Sequence, residues 1–507
     1  MAEKKYQPGQ PMRVRFGPSP TGITHLGSAR TALYNYLLAK QTGGQFILRI
    51  EDTDQKRYDP AAENDLINSL KWLGLSWDEG PDVGGDYGPY RQSERKALYQ
   101  EMAEKLVASG DAFYCFCSKE ELDAQRQEQK RNNQHLRYAG TCRHISLQEA
   151  QARVAAGEEY VIRFKMPKEG TTKVVDSIRG EIEFENATLD DYILVKSDGL
   201  AVYHLATMVD DHFMKVTHVL RGEEWIPTFP LHARVIRALG WEEPEWVHLS
   251  LFLKPSGKGK MSKRDTEAMQ QSGESIFIRD MMAMGYPPEG VINWVALMGW
   301  SYDDQTEFFT MDELIKKFSI EKLSAKNAAI DFKKLDHFSG LHVRNLSTEE
   351  LAGRIRPFIE AEGYRVDEDT LLKLTPLLQP RLITLDEVPN WVRFIFEDEV
   401  TPGVEDLVPN GMDAATALAV AKGMLIILEE ARALTHENIE QPIRDLAVEM
   451  DLKLGQVFHV LRMAVAAQAV TPPLIESMEL LGKEKTIKRL KDGVHLLEEL
   501  VNGASDE

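Results

Sequence analysis

Cysteine is scarce: Cys115, Cys117 and Cys142 are the only three among 507 residues. So odd and sparse a set excludes a disulfide framework and fits a reducing compartment. Long apolar runs are missing as well. No stretch approaches the roughly 18 residues of a membrane span, and the opening Met-Ala-Glu-Lys-Lys-Tyr-Gln-Pro-Gly-Gln lacks the apolar segment of a signal peptide. A cytoplasmic protein with no membrane partner is expected. Basic charge is in deficit, with 60 Lys and Arg against 80 Asp and Glu for a net −20. That balance argues against indiscriminate polyanion binding, although local basic clusters and base contacts can still hold a nucleic acid. What remains is an ordinary globular composition, 43% hydrophobic and 28% charged, which excludes disorder and fibrous repeats. At roughly 150 residues per domain the length predicts three or four domains.

The three cysteines cluster in one short window, and His144 stands beside them. The pattern is Cys115-Phe-Cys117, 24 intervening residues, then Cys142-Arg-His144. In extended backbone each i, i+2 pair shares a face, so two such pairs can make a Cys₃His tetrahedron suited to Zn²⁺. Four protein ligands close the coordination sphere, which predicts a structural metal. The alternative is three buried cysteines packing as small hydrophobes. The intervening segment from Ser118 to Asn133 reads as a polar helix unable to bury a core unaided.

Residues 13–16 read as a strand, followed by the Gly17-Pro18-Ser19-Pro20-Thr21-Gly22 loop and a helix with Leu26, Ala29, Leu33, Tyr36 and Leu37 on one side. Gly43-Gly44 ends that helix, and Phe46 to Ile50 is the next strand. One βαβ unit results, the start of a doubly wound sheet. Further strands are expected at 160–166, 193–196, 217–220 and 247–253, and helices from about 340 onward, exemplified by 414–434. Residues 111–199 interrupt the sheet pattern, and Pro402-Gly403 is a boundary between helical subdomains.

Two loops carry chemistry. Gly17-Pro18-Ser19-Pro20-Thr21-Gly22, followed by His25-Leu26-Gly27-Ser28, lies at the carboxyl edge of a parallel strand, where open α/β sheets bind nucleotides. Gly27 leaves room for a purine, and His25 at a helix N-terminus can donate to phosphate. The helix-capping reading of His25 is the plainer one. Lys254, Lys258, Lys260, Lys263 and Arg264 form a second, basic loop without an acidic residue. Its Lys260-Met-Ser262-Lys263-Arg264 offers point charges and a hydroxyl to a polyphosphate, while Gly257 and Gly259 permit closure. A solvated loop would show the same charge.

Together these loops resemble the paired signatures of class I aminoacyl-tRNA synthetases. Arg15-Phe-Gly-Pro-Ser-Pro-Thr-Gly, Arg49-Ile-Glu-Asp-Thr-Asp54, Trp72 to Gly80, Tyr90 to Arg95, Tyr203-His-Leu-Ala and Arg221-Gly-Glu-Glu-Trp225 are similar to bacterial glutamyl-tRNA synthetases. The likeness continues through Lys453-Leu-Gly-Gln456 and Leu480 to Glu484 and so covers nearly the whole chain.

The resemblance implies a multidomain α/β protein. A Rossmann-type catalytic domain (1–110 and 200–253) is interrupted by an α/β acceptor-stem domain with the zinc site (111–199). A stem-contact helical domain with the basic loop (254–338) and two helical anticodon-binding subdomains (339–400 and 401–507) follow. It implies L-glutamate, ATP with Mg²⁺ and tRNA-Glu as partners of a monomer, and a reaction through glutamyl-adenylate. Catalysis would fall to His25, Lys260 and Lys263. ATP would be held by these three with Gly17, Pro18, Gly27, Ser28, Glu224, Trp225 and Ser262, and glutamate by Arg15, Ser19, Glu51, Tyr203 and Arg221.

Glutamine, isosteric but neutral, would leave buried guanidinium charge unpartnered, at a cost of about 2–5 kcal/mol. Gly17 replaces a more usual alanine and is expected to loosen little, while Thr207 stands where an asparagine is common. Gln379, near Arg381, aligns with an arginine of members that reject tRNA-Gln, so tRNA-Gln is a second expected acceptor. Glutaminyl-tRNA synthetases share the catalytic motifs but would read the anticodon with β-barrels, and a base-modifying paralogue would end near residue 300. A silent tRNA-binding module would not need these residues together.

Overall fold

The computed structural model describes residues 10–259, 263–271 and 273–503, without the side chains of Lys263, Arg264, Ala268 and Gln270. Contacts divide it into two compact units: residues up to 282 with 291–335, and 283–290 with 336 onward.

In the first unit β1 (Arg13–Phe16) pairs in parallel with β2 (Gln45–Leu48), Arg13 opposite Gln45 and Phe16 opposite Leu48. The connecting helix α1 (Leu26–Thr42) is capped at its start by His25 and ended by Gly43, whose φ of 64° suits glycine. Gly44 lies so close to the first strand that a Cβ there would sit 1.9 Å from Met12 O, which explains the double glycine. Helices α2 (Pro60–Trp72) and α3 (Lys96–Ser109) follow. The sheet resumes much later with β8 (His218–Gly222), parallel to β9 (Glu245–Leu249), with Arg221 opposite His248. Thr217 donates its N–H to Arg13 O and accepts from Arg13 N–H, laying β8 beside β1. Helices α6 (Tyr203–Phe213) and α7 (Phe229–Ala238) flank these strands.

Between α3 and α6 a separate antiparallel sheet joins β3 (Ala112–Cys115), β4 (Val161–Phe164) and β7 (Ile193–Val195) in the order β3-β4-β7. The polar helix α4 (Lys119–Arg131) buries no residue and is closed by a Ser118/Glu121 capping box; α5 (Leu147–Ala155) follows. A hairpin of β5 (Thr171–Asp176) and β6 (Gly180–Glu185) was not expected, because its charged residues mask the alternation. Period-2 burial carries Thr172, Val174 and Asp176 to its covered face. The stretch expected as one strand at 247–253 is split between β9 and the two-residue β10 (Phe252–Leu253), after which α8 (Lys263–Gln271) begins.

Every regular element among the described residues of the second unit is a helix. Helices Thr348–Ala361, Glu368–Leu378 and Val388–Phe396 enclose one core around Leu351, Leu371 and Val392. Ala414–Glu430, His436–Glu449, Leu454–Ala466 and Lys483–Gly503 enclose another around Met424, Ile443 and Leu461. Pro402-Gly403 falls between the segments that build the two cores. No helix among the described residues is long and apolar enough to cross a membrane.

Candidate active site

The carboxyl ends of β1, β2 and β8 open into a cleft of about 1060 Å³. Its loop wall is Gly17, Pro18, Ser19, His25, Gly27 and Ser28, and its floor includes Arg15, Glu51, Tyr203, Arg221, Glu224 and Trp225. Every expected substrate-site residue whose side chain is described therefore borders one space. Lys260 and Ser262 lie outside the described residues. Lys263 opens α8, and its side chain is not described. The turn before it contains Gly257 and Gly259 at φ 71° and 80°, conformations that favour glycine.

His25 is held by its own helix: Nδ1 accepts from Gly27 N–H at 3.0 Å. The neutral ring consequently carries its proton on Nε2, free to donate. A Cβ at residue 27 would lie 2.9 Å from His25 Cε1, so the glycine makes room for the ring. At Gly17 a Cβ would lie 2.4 Å from Glu51 Oε1. Gly17 therefore borders the Glu51 carboxylate directly.

Beneath the loop lies a buried ionic network that the sequence reading missed in part. Arg49, fully buried after β2, donates to Glu51 Oε1 and Asp211 Oδ1, both at 2.8 Å. Arg15 grips Asp211 with two hydrogen bonds of 3.0 and 3.2 Å. Asp210 receives Arg95 at 2.6 Å, Tyr99 at 2.8 Å and Gln92 at 2.9 Å. Burial pushes the Glu51 and Asp210 carboxyls up despite their arginines. Burial also works against the Asp211 anion, but Arg15 and Arg49 outweigh it and hold its carboxyl low. The signal available in the sequence was two consecutive acids, Asp210 and Asp211, on the buried face of an otherwise apolar helix. Thr207 Oγ1 faces Glu51 Oε1 at 3.4 Å.

Arg221 differs from the other arginines. Its Nε donates to His248 Nε2 at 3.0 Å and its NH1 to His232 Nδ1 at 2.9 Å. NH2 is buried without a hydrogen bond of normal geometry, although the Tyr203 hydroxyl lies beside the group. Tyr203 stacks on Trp225 at 4.0 Å. Arg15, Arg49 and Arg95 are thus each hydrogen-bonded to Glu51, Asp210 or Asp211, whereas both described acceptors of Arg221 are imidazoles.

In the interrupting module the thiols of Cys115, Cys117 and Cys142 converge within 4.8 Å of one another. The fourth expected ligand does not join them. His144 is exposed, because residues 141–144 form a turn and the extended geometry assumed for Cys142 and His144 is absent. Tyr138 comes to the thiols instead, its hydroxyl 3.4 Å from Cys115 Sγ and 3.7 Å from Cys117 Sγ and accepting Cys142 N–H at 2.7 Å. Tetrahedral zinc with bonds of about 2.3 Å separates its sulfurs by roughly 3.8 Å. The 3.6 Å between Cys117 and Cys142 Sγ fits that requirement.

In the helical unit the Gln379 amide donates to Val343 O at 3.0 Å and Leu346 O at 2.8 Å, tying off a neighbouring helix end. Arg381 is exposed, its guanidinium carbon 5.7 Å from the Trp391 ring centre.

Residues 11–337 match the catalytic domain of class I tRNA synthetases for E and Q, and residues 350–494 an anticodon binding domain. The chain is 43% identical to the glutamate-tRNA ligase of Dehalococcoides mccartyi over 96% of its length and 99% of that protein. It is 42% identical to the corresponding ligase of a Roseiflexus species, over 95% and 96%. Among solved structures, a glutamate tRNA ligase from Elizabethkingia meningosepticum in complex with its amino acid superposes with a TM-score of 0.87 at 36% identity, covering 96% of this chain and 99% of that one.

Proposed function

Since the chain belongs to the class I aminoacyl-tRNA synthetases as a member of the glutamate-tRNA ligases, we propose that the cleft above β1, β2 and β8 is where its glutamate and ATP condense. The activity itself is ligation of L-glutamate to tRNA with ATP. The residue roles are our reading, carried by one observation: a buried guanidinium nitrogen, Arg221 NH2, beside the Tyr203 hydroxyl but with no hydrogen bond of normal geometry and no carboxylate to accept from it.

Glutamate brings two carboxylates and one ammonium, a net charge opposite to the surplus of the cleft. Arg221 receives a carboxylate, Arg15 adds its field from the same wall, and Glu51 accepts the ammonium. ATP enters as its Mg²⁺ complex. An α-carboxylate oxygen attacks the α-phosphorus, forming a C–O–P linkage, while the bond to the bridging oxygen breaks and its electron pair departs with pyrophosphate. The nucleophile is already ionised, so no general base is required. Alignment and charge stabilisation supply the acceleration. His25 Nε2–H donates to a phosphate oxygen, and Lys260 and Lys263 meet the leaving pyrophosphate. A hydroxyl of the terminal tRNA adenosine then displaces AMP from the acyl carbon.

Cys115, Cys117 and Cys142 hold a structural zinc, with the Tyr138 oxygen rather than His144 nearest the fourth corner. When bound, that ion supplies only a cross-link between β3 and the 138–142 turn. The flanking domains divide as the resemblance implies, with the module at 111–199 on the acceptor stem and the helices beyond 339 on the anticodon, for a monomer in the cytoplasm. Gln379 spends both amide hydrogens internally and presents no positive charge, which favours tRNA-Gln as a second acceptor. Charging of tRNA-Glu and tRNA-Gln transcripts tests this, and absence of Glu-tRNA-Gln rejects it. The amino-acid assignment is tested by pyrophosphate exchange in Arg221→Gln, where the glutamate KM should rise while the ATP KM holds.

A further inference from the structure

Behind Arg221 a single line of hydrogen bonds runs through five buried or nearly buried side chains from four elements and a hairpin. Asp176 ends β5 of the hairpin, His248 lies on β9, Arg221 on β8, His232 on α7 and His204 on α6. The contacts are Asp176 Oδ2 to His248 Nδ1 at 2.8 Å, His248 Nε2 to Arg221 Nε at 3.0 Å, Arg221 NH1 to His232 Nδ1 at 2.9 Å and His232 Nε2 to His204 Nδ1 at 2.9 Å. Asp176, His232 and His248 are 0–1% exposed.

The chemistry of the two fixed members settles every proton in the line. An ionised carboxylate only accepts and a guanidinium only donates. His248 therefore bears its proton on Nδ1, toward Asp176, and offers a bare Nε2 to Arg221. His232 accepts from Arg221 at Nδ1 and bears its proton on Nε2, toward His204. Each imidazole is neutral in this arrangement. Burial and the field of Arg221 reinforce that state, pushing His204 and His248 down to about 4 and His232 well below the ordinary value, with Asp176 opposing only at His248. Arg221 is thus oriented on two sides by acceptors that carry no charge, whereas Arg15 and Arg49 are each matched by a carboxylate.

We infer that Asp176 and His248 are positioning and specificity-determining residues: by supplying Arg221 with a neutral acceptor in a fixed tautomer, they leave its guanidinium without a directly bonded carboxylate and aim its third nitrogen at the substrate carboxylate, so that glutamate is preferred to glutamine. The inference rests on the reading that Arg221 binds that carboxylate. Asp176 is well suited to the task, since its other oxygen accepts the N–H groups of Ile178 and Arg179 at 3.0 and 2.9 Å. Arg179 fastens the hairpin tip to His248 O and Glu223. The hairpin thereby becomes part of the amino-acid site without touching substrate.

The test is pyrophosphate exchange by the full chain with glutamate and with glutamine, giving KM and kcat for each amino acid and KM for ATP. Asp176→Asn keeps the volume but presents an N–H to one set of its partners, favouring the wrong His248 tautomer, as with the aspartate of a serine-protease triad. His248→Phe removes the acceptor, and His248→Gln restores a neutral one. The first two should raise the glutamate KM about 10- to 100-fold, as expected for an unpaired buried donor, lower the glutamate-to-glutamine preference, and leave the ATP KM unchanged. His248→Gln should recover most of both losses. An unchanged glutamate KM and preference in folded Asp176→Asn overturns the inference, and this isosteric variant decides should His248→Phe fail to fold. If Arg221→Gln also leaves the glutamate KM unchanged, the underlying reading of Arg221 falls with it; if Arg221→Gln raises it alone, only the inference falls.

Discussion

Asp211 shows how much depends on single side chains in this cleft. It accepts from Arg15 and Arg49 in a site that is 3% exposed. Asp211→Asn would leave two buried guanidinium groups short of a partner and should destabilise the protein by about 3–5 kcal/mol, measured by denaturant unfolding. The buried histidines give a pH signature of definite sign. A histidine lowered to about 4 in the folded state, as His204 is, binds fewer protons folded than unfolded between that value and its ordinary one near 6.5. Its contribution to stability is complete above about 6.5 and is lost as pH falls toward 4. Glu51 and Asp210, raised by burial, act oppositely, so the difference between wild type and His204→Gln isolates the effect. That difference should shrink steadily over this window. The sequence exposed Arg15, Glu51 and Arg221 because they sit in recognisable motifs next to Gly/Pro loops. Asp211, His232 and His248 escaped because their role depends on which distant strand or helix they meet, and spacing along the chain carries no such information.

At the scale of elements, the first βαβ unit was legible because its signals agree: apolar positions on one side of α1, a capping residue before it, two glycines after it and an apolar strand beyond. The metal site was legible only in part. Two i, i+2 pairs predict four ligands if both backbones are extended, and the turn at 141–144 breaks that premise for His144. Cys117→Ser should therefore release zinc and loosen α4, which has no buried side chain of its own. By metal analysis, His144→Ala should keep about one zinc per chain while Tyr138→Phe lowers its affinity by about 10- to 100-fold, in the range seen for lost metal-site partners. Equal retention by both variants would remove Tyr138 from the site. The β5/β6 hairpin was invisible because Lys173, Glu181, Glu183 and Glu185 put solvated charge along its strands, yet its covered face delivers Asp176 to His248, an acceptor of Arg221.

For the molecule as a whole, the catalytic unit is acidic like the rest of the chain but concentrates an unbalanced positive charge where the parallel strands end. Net charge of −20 describes the surface and says little about the cleft, whose lining holds five arginines against four carboxylates. Lys263→Ala belongs at this scale, since on the function proposed above the basic loop acts on a ligand that the sheet loops bind. It should lower kcat by about 10²-fold or more with little change in glutamate KM, the signature of an interaction made mainly in the transition state. The central claim is that charge selects the amino acid. Pyrophosphate exchange by the wild-type chain with glutamate, glutamine and aspartate, each with and without tRNA, tests it most directly. Glutamate should support exchange, with kcat/KM exceeding that for glutamine by about 10²- to 10³-fold; exchange driven by glutamine as well as or better than by glutamate would contradict the account.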